Sequence, residues 1–217
     1  MRGLVYKDLM TEVHELKRMA VVLLVFLIGF PALMYATSDD LSELYGMPMT
    51  MCTVMGMVMI NNSFAYDERS GWMQYALTNP ISRIQYYHSK FLTHAVNILC
   101  GTTLGLAVGV IIAGVTGQLT ISALLGMLTT TGLTAVGMCL VSIIFIPLMI
   151  KFGVQKGAIV TMVIFASVGG IGAALVVGLT LISDNFLLII PIIAALILGG
   201  FITTYFLGRK WILEKEF

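Results

Sequence analysis

The sequence predicts an all-α fold: a polytopic membrane protein with about six transmembrane helices, both termini in the cytoplasm and an interfacial elbow helix ahead of the first span. Three observations carry the prediction. Of 217 residues, 59% are hydrophobic and 11% charged, where a soluble chain has about 25% charged. Such a chain cannot cover a water-facing surface. The apolar residues fall in runs of roughly twenty, the length at which a helix rising 1.5 Å per residue crosses about 30 Å of hydrocarbon. The basic residues, finally, gather on one side of those runs.

The first element is the leader, residues 1–18. Val5, Tyr6, Leu9, Val13 and Leu16 share one helical face, and Asp8, Thr11, Glu12 and Glu15 another. That pattern suits a helix lying in the cytoplasmic interface and turning into span one; a solvated helical leader is the plainer alternative. Spans follow at 19–37, 47–64, 92–114, 121–150, 158–183 and 186–207. The first reads as a retained span rather than a signal peptide, because acids accompany the bases before it and residues 34–40 offer no small-residue cleavage site. One domain, 1–217, is expected, with no tandem repeat.

With these boundaries Arg2, Lys7, Lys17, Arg18, Arg69, Arg83, Lys90, Lys151, Lys156, Arg209, Lys210 and Lys215 all fall on one side. The positive-inside rule makes that side the cytoplasm. The opposite loops carry only acids, Asp39, Asp40, Glu43 and Asp184. The longest polar stretch, residues 65–91, joins spans two and three. Within it Asn79 and Pro80 read as an N-cap and first-turn pair for a helix running into span three, which leaves 67–78 as a short separate helix or turn. Span four would be about 45 Å long if wholly helical, so a bend at Thr129-Thr130-Thr131 or Pro147, a tilt or a projection is expected.

Several functions are excluded by residues that are missing. No span holds Asp, Glu, Lys, Arg or His away from its ends, whereas ion-coupled transporters keep such a group near the midplane. Metal-dependent and aspartyl intramembrane proteolysis lack their ligands and paired carboxylates, and His14, His88 and His94 lie at or outside the cytoplasmic edge. Cys52, Cys100 and Cys139 lie inside apolar runs with no C-x-x-C spacing; they read as packing residues, with no metal site. No basic tract suits nucleic acid, and no G-x-x-x-x-G-K-[ST] run suits nucleotide phosphates.

What remains concerns packing and passage. Gly101, Gly105, Gly109 and Ala113 repeat every four residues, a stripe along which another helix can approach closely, in this chain or in a second copy. Gly169-Gly170-Ile171-Gly172-Ala173-Ala174 lies in an apolar helix with no βαβ context, and marks packing or a flexible point rather than a dinucleotide site. Met51, Met55 and Met59 share a stripe of span two. They could line a pliable path for an amphipathic substrate, or be ordinary packing or lipid-facing methionines. A copper(I) path would need an extramembrane methionine cluster or deep histidines, which are absent.

Asp67, Glu68, Gly71, Trp72, Pro80-Ile81-Ser82-Arg83 and Lys90, together with the opening Met1–Leu9, resemble the corresponding segments of ABC-2 type permeases, the membrane subunits of one class of ATP-binding cassette exporters. The resemblance covers essentially the whole chain. The short outer loop after span five departs from the lipid and sterol exporters of the wider superfamily. The resemblance implies a permease with no catalytic site and no cofactor of its own, in a bacterial plasma membrane, paired with a second permease copy and two copies of an ABC ATPase that binds ATP and Mg. Asp67, Glu68, Arg69, Gly71, Trp72, Met73, Tyr75, Pro80, Arg83 and Lys90 would couple it to the ATPase, with Lys151 and Lys156 a smaller second contact. Trp72 could instead be an interface anchor, and Arg83 and Lys90 could bind lipid headgroups. Amphipathic or antimicrobial peptides or apolar drugs are the implied cargo; a non-transporting scaffold or sensor subunit is the alternative.

Overall fold

A computed structural model describes residues 2–37, 43–78, 81–164, 166 and 190–214. Among them every regular element is an α-helix: α1 Arg2–Thr37, α2 Glu43–Ser70, α3 Trp72–Thr78, α4 Arg83–Val115, α5 Ile121–Phe152, α6 Val154–Ile164 and α7 Ile190–Glu214. Helices α4 and α5 are long and apolar enough to cross a membrane. The fifth expected span falls largely on residues 167–189, and these, with the Gly169–Ala174 run, Asp39, Asp40, Asp184, Asn79, Pro80 and Lys215, lie outside the described residues.

Three expectations are corrected. The leader and the first span form one uninterrupted helix of 36 residues, not an elbow that turns. Leu16-Lys17-Arg18-Met19-Ala20 at the expected turn are all strong helix formers, with no glycine or proline to break the ladder. Helix α2 continues through Asp67, Glu68 and Arg69 to Ser70. The break comes at Gly71, whose φ of 63° is left-handed and disfavours a side chain; its carbonyl then accepts from the Gln74 and Tyr75 N–H groups at 3.1 and 3.3 Å to start α3. Helix α4 begins at Arg83 rather than at Pro80. Ser82 Oγ accepts the Gln85 N–H and Gln85 Oε1 accepts the Ser82 N–H, each at 3.1 Å, a reciprocal capping box.

Two compact units can be distinguished, Met1–Ser142 and Ile143–Phe217. In the first, α2 packs along α4, with α1 against both. The packing face of α4 runs Tyr86, Lys90, His94, Asn97, Gly101, Gly105, Gly109, Ala113, polar near its start and small beyond. A Cβ at Gly101 would lie 2.5 Å from the Cys52 carbonyl oxygen, one at Gly105 2.6 Å from that of Met49, and one at Gly56 2.6 Å from that of Asn97. The small-residue stripe thus lies against α2 of the same chain, backbone to backbone. Met49, Ala113 and Met127 close the far end of this seam. In the second unit, Gly153, at φ 80°, alone separates α5 from α6, and α5 continues unbroken through Pro147.

Candidate functional site

The face that α1 buries is not the one its sequence pattern suggests. Leu4, Asp8 and Glu12, one turn apart, are 5%, 1% and 2% exposed, while Tyr6 and Val13 are 63% and 46% exposed. Burying carboxylates is costly unless charge and hydrogen bonds compensate, and for Asp8 the compensation comes from Lys90 of α4 and Lys7 of α1 itself. The fully buried Lys90 ammonium on α4 lies 3.0 Å from both Asp8 carboxylate oxygens, 2.6 Å from Asp67 Oδ2 on α2 and 2.7 Å from Ser63 Oγ. An ammonium has three hydrogens to donate, and three groups accept them. Tyr86 OH donates to Asp67 Oδ2 at 3.0 Å. Lys7 Nζ lies 2.9 Å from Asp8 Oδ1 and also donates to Asp67 Oδ1.

Two lysines against two aspartates make the cluster electrically neutral, and each charged group in it has a partner. Attraction at such separations is strong in a low-dielectric surround. Aromatic faces close it: the Trp72 ring centroid lies 4.8 Å from Lys7 Nζ, and those of Phe64 and Tyr86 5.0 and 5.2 Å from Lys90 Nζ, within cation–π range. Burial, then the adjacent Asp67 carboxylate, pushes the Tyr86 phenol well above its ordinary pKa, so it stays a donor. The result is a clasp that joins the first turns of α1, the last turns of α2 and the first turns of α4 at one end of the unit.

Asp67 and Lys90 are therefore inside the clasp and do not present their charges to water. Glu68 and Arg69 are exposed on the last turn of α2, as is Tyr75 on α3, where it stacks at a tilt on Trp72 with ring centroids 5.4 Å apart. Arg83 is half-buried at the start of α4. Beside the clasp opens a groove of about 730 Å³ lined by Lys7, Met10, Thr11, His14, Tyr66, Arg69 and Trp72. Its charged lining is Arg69 and Lys7, the latter shared with the clasp carboxylates, and the buried Trp72 Nε1–H has no acceptor among the described residues. An acidic or carbonyl-rich partner surface fits that chemistry.

The remaining predicted residues are elsewhere. Lys151 and Lys156 are exposed in the second unit, where Lys151 Nζ lies 3.9 Å above the Trp211 ring. Met51 is exposed, while Met55 and Met59 are half-buried and line a cavity between α1, α2 and α4. Asp8, Glu12, Ser63, Tyr86, His94 and Asn97 are not among the site residues to which the sequence points. Their available signal was the Leu4, Asp8, Glu12 repeat at four-residue spacing and the run of polar residues every three or four positions from Tyr86 to Asn97.

No curated protein and no solved structure matches the chain. Residues 3–209 match the profile of the family described as ABC-2 family transporter protein. That match spans all of the clasp and nearly all of the described helices, so the chain, an all-helical membrane protein, belongs to the ABC-2 family of transporter permeases.

Proposed function

We propose that this chain is the permease subunit of an ATP-driven exporter in a bacterial plasma membrane, with six spans, both termini inside, and a second permease copy beside it. Two copies of a separate ABC ATPase supply ATP and Mg, and amphipathic or antimicrobial peptides or apolar drugs are the cargo. One observation supports this above all. The cluster of buried Asp8, Asp67 and Lys90 with half-buried Lys7 ties three helices to the base of the short helix that carries Trp72 and Tyr75.

A push on α3 and the last turn of α2 would therefore reach α1 and α4 through rigid, fully paired groups rather than through a slack loop. In this reading Glu68, Arg69, Trp72, Met73, Tyr75 and Arg83 meet the ATPase, and Lys151 and Lys156 add a second contact. Asp67 and Lys90 act from inside as positioning residues, and Gly71 sets the angle of α3. Pro80 precedes the α4 cap. Spans without fixed charges suit an apolar or amphipathic cargo rather than an ion.

The test is co-purification with an ABC ATPase, sought first among the genes beside the one for this chain. Arg69→Glu, Glu68→Lys and Trp72→Ala are each expected to lower recovery of the complex and its cargo-stimulated ATP turnover at least tenfold. Lys156→Ala should have a smaller effect. Intact assembly and normal turnover in all three of these first variants would refute the docking surface and favour a non-transporting scaffold.

A further inference from the structure

Helices α2 and α4 meet through main chain where Gly56 faces Asn97 and Gly101 faces Cys52 and Thr53. Neither glycine has a side chain to fill the space beside that contact, and α1 lies across it. A cavity of about 170 Å³ remains between the three helices. It is reached from the surface where Val13, Cys100 and Leu104 are exposed.

The wall is almost wholly apolar. Glu12 and Asn97 belong to it, but the Glu12 carboxylate oxygens and Asn97 Nδ2 are buried and present next to no surface. A guest therefore meets carbon and sulfur. Cys52, Met55 and Met59, spaced by three and four, share one face of α2, and Cys100 comes from α4, so four sulfur-bearing side chains line this one space.

We infer that this cavity is a binding site for a small neutral aromatic molecule of about one ring. Size comes first: a dry apolar cavity of about 150 Å³ is enough to take benzene. Neutrality follows from the wall, because a charged or strongly polar guest would give up its hydration and find no group to replace it. The sulfurs decide between a ring and a saturated body of equal bulk. Both gain from leaving water, but thioether and thiol sulfurs about 5 Å from a ring add an attraction that an alkane lacks. Selectivity is the difference between the two.

The site lies within one chain and is read without ATPase or transport. Its failure leaves the exporter reading intact, and failure of that reading leaves this one testable. Fluorobenzene and fluorocyclohexane are titrated into the purified chain in detergent and followed by fluorine NMR, with empty micelles subtracted. Wild type is expected to bind fluorobenzene saturably, one per chain, and fluorocyclohexane at least threefold more weakly. The double variant Met55→Leu with Met59→Leu keeps the bulk and removes two sulfurs; it should bind fluorobenzene about threefold more weakly and fluorocyclohexane as wild type does. Met55→Phe, which places a ring of the chain's own in the cavity, should abolish saturable binding of both. Circular dichroism checks that each variant is helical. No saturable binding by helical wild type overturns the site, as does full binding by helical Met55→Phe. Equal affinity of wild type for the two probes overturns the aromatic preference and makes the cavity a seat for any hydrocarbon, a lipid or detergent chain included.

Discussion

Lys90 shows how far a residue's setting can depart from its sequence context. By sequence it is one more cytoplasmic cation near the start of a span, suited to lipid headgroups or a partner. In the fold its ammonium holds Asp8, Asp67 and Ser63 together. Lys90→Met leaves two buried carboxylates to one lysine, and breaking a buried pair on one side costs about 3–5 kcal/mol. The variant is expected to unfold at markedly lower temperature in detergent. Lys90→Met combined with Asp67→Asn restores neutrality and should be more stable than the single variant; a double variant no better than the single would show that the charges are not coupled.

Glu12 gives a pH dependence of definite sign. Its folded pKa is raised from 4.5 to about 7, first by burial and next by Asp8, against the pull of Asn97, Lys90 and Lys7. The folded chain therefore binds this proton more tightly than the unfolded chain does. Stability contributed by the group falls as pH rises from about 4.5 to about 7 and is level above that. The full difference is on the order of 3 kcal/mol at about 1.36 kcal/mol per pKa unit. Melting temperature should drop across that window in wild type, and Glu12→Gln should flatten the contribution. A wild-type slope retained in full by Glu12→Gln would assign it to other groups.

At the scale of elements, the seam between α2 and α4 is set by the absence of side chains. Methyl groups at Gly101 or Gly105 would meet main-chain carbonyl oxygens of α2, which cannot rotate away. Gly105→Ala must push the helices apart, and overpacking of this kind costs about 1–3 kcal/mol. Gly132 on α5 has nothing within 4 Å of an added Cβ, so Gly132→Ala should be neutral or slightly stabilising. Comparing thermal unfolding of the two variants checks the packing directly. At Gly71 the reason is conformational: its φ of 63° costs an L-residue about 1–2 kcal/mol. Gly71→Ala should disturb how α3 leaves α2, with weaker ATPase association as the readout.

At the scale of the molecule, the first unit brings Lys7 and Asp8 of α1, Asp67 of α2 and Lys90 of α4 together at one end. The same concentration supports docking there and leaves the seam deeper along α4 to small and apolar groups. Much of this was legible. Apolar runs marked long helices because crossing hydrocarbon demands about twenty such residues in sequence, and Gly101, Gly105, Gly109 and Ala113 announced a close approach because their four-residue repeat keeps them on one face. The leader's pattern misleads for a physical reason: an apolar face is the one normally buried, and only Lys90 across the interface, joined by Lys7 on α1 itself, makes burial of Asp8 intelligible.

The sequence by itself determined the helical membrane class and the small-residue stripe, which follow from composition and local periodicity, while its motifs carried the resemblance to the family. Tertiary structure alone decided that the stripe meets α2 of the same chain, that Asp67 and Lys90 are interior groups, and that Glu12 is buried one turn past Asp8. Those facts depend on residues as many as 82 positions apart. Whether a charge is solvated, paired or stranded is set by what the fold brings across from it, and no local pattern along one helix contains that information.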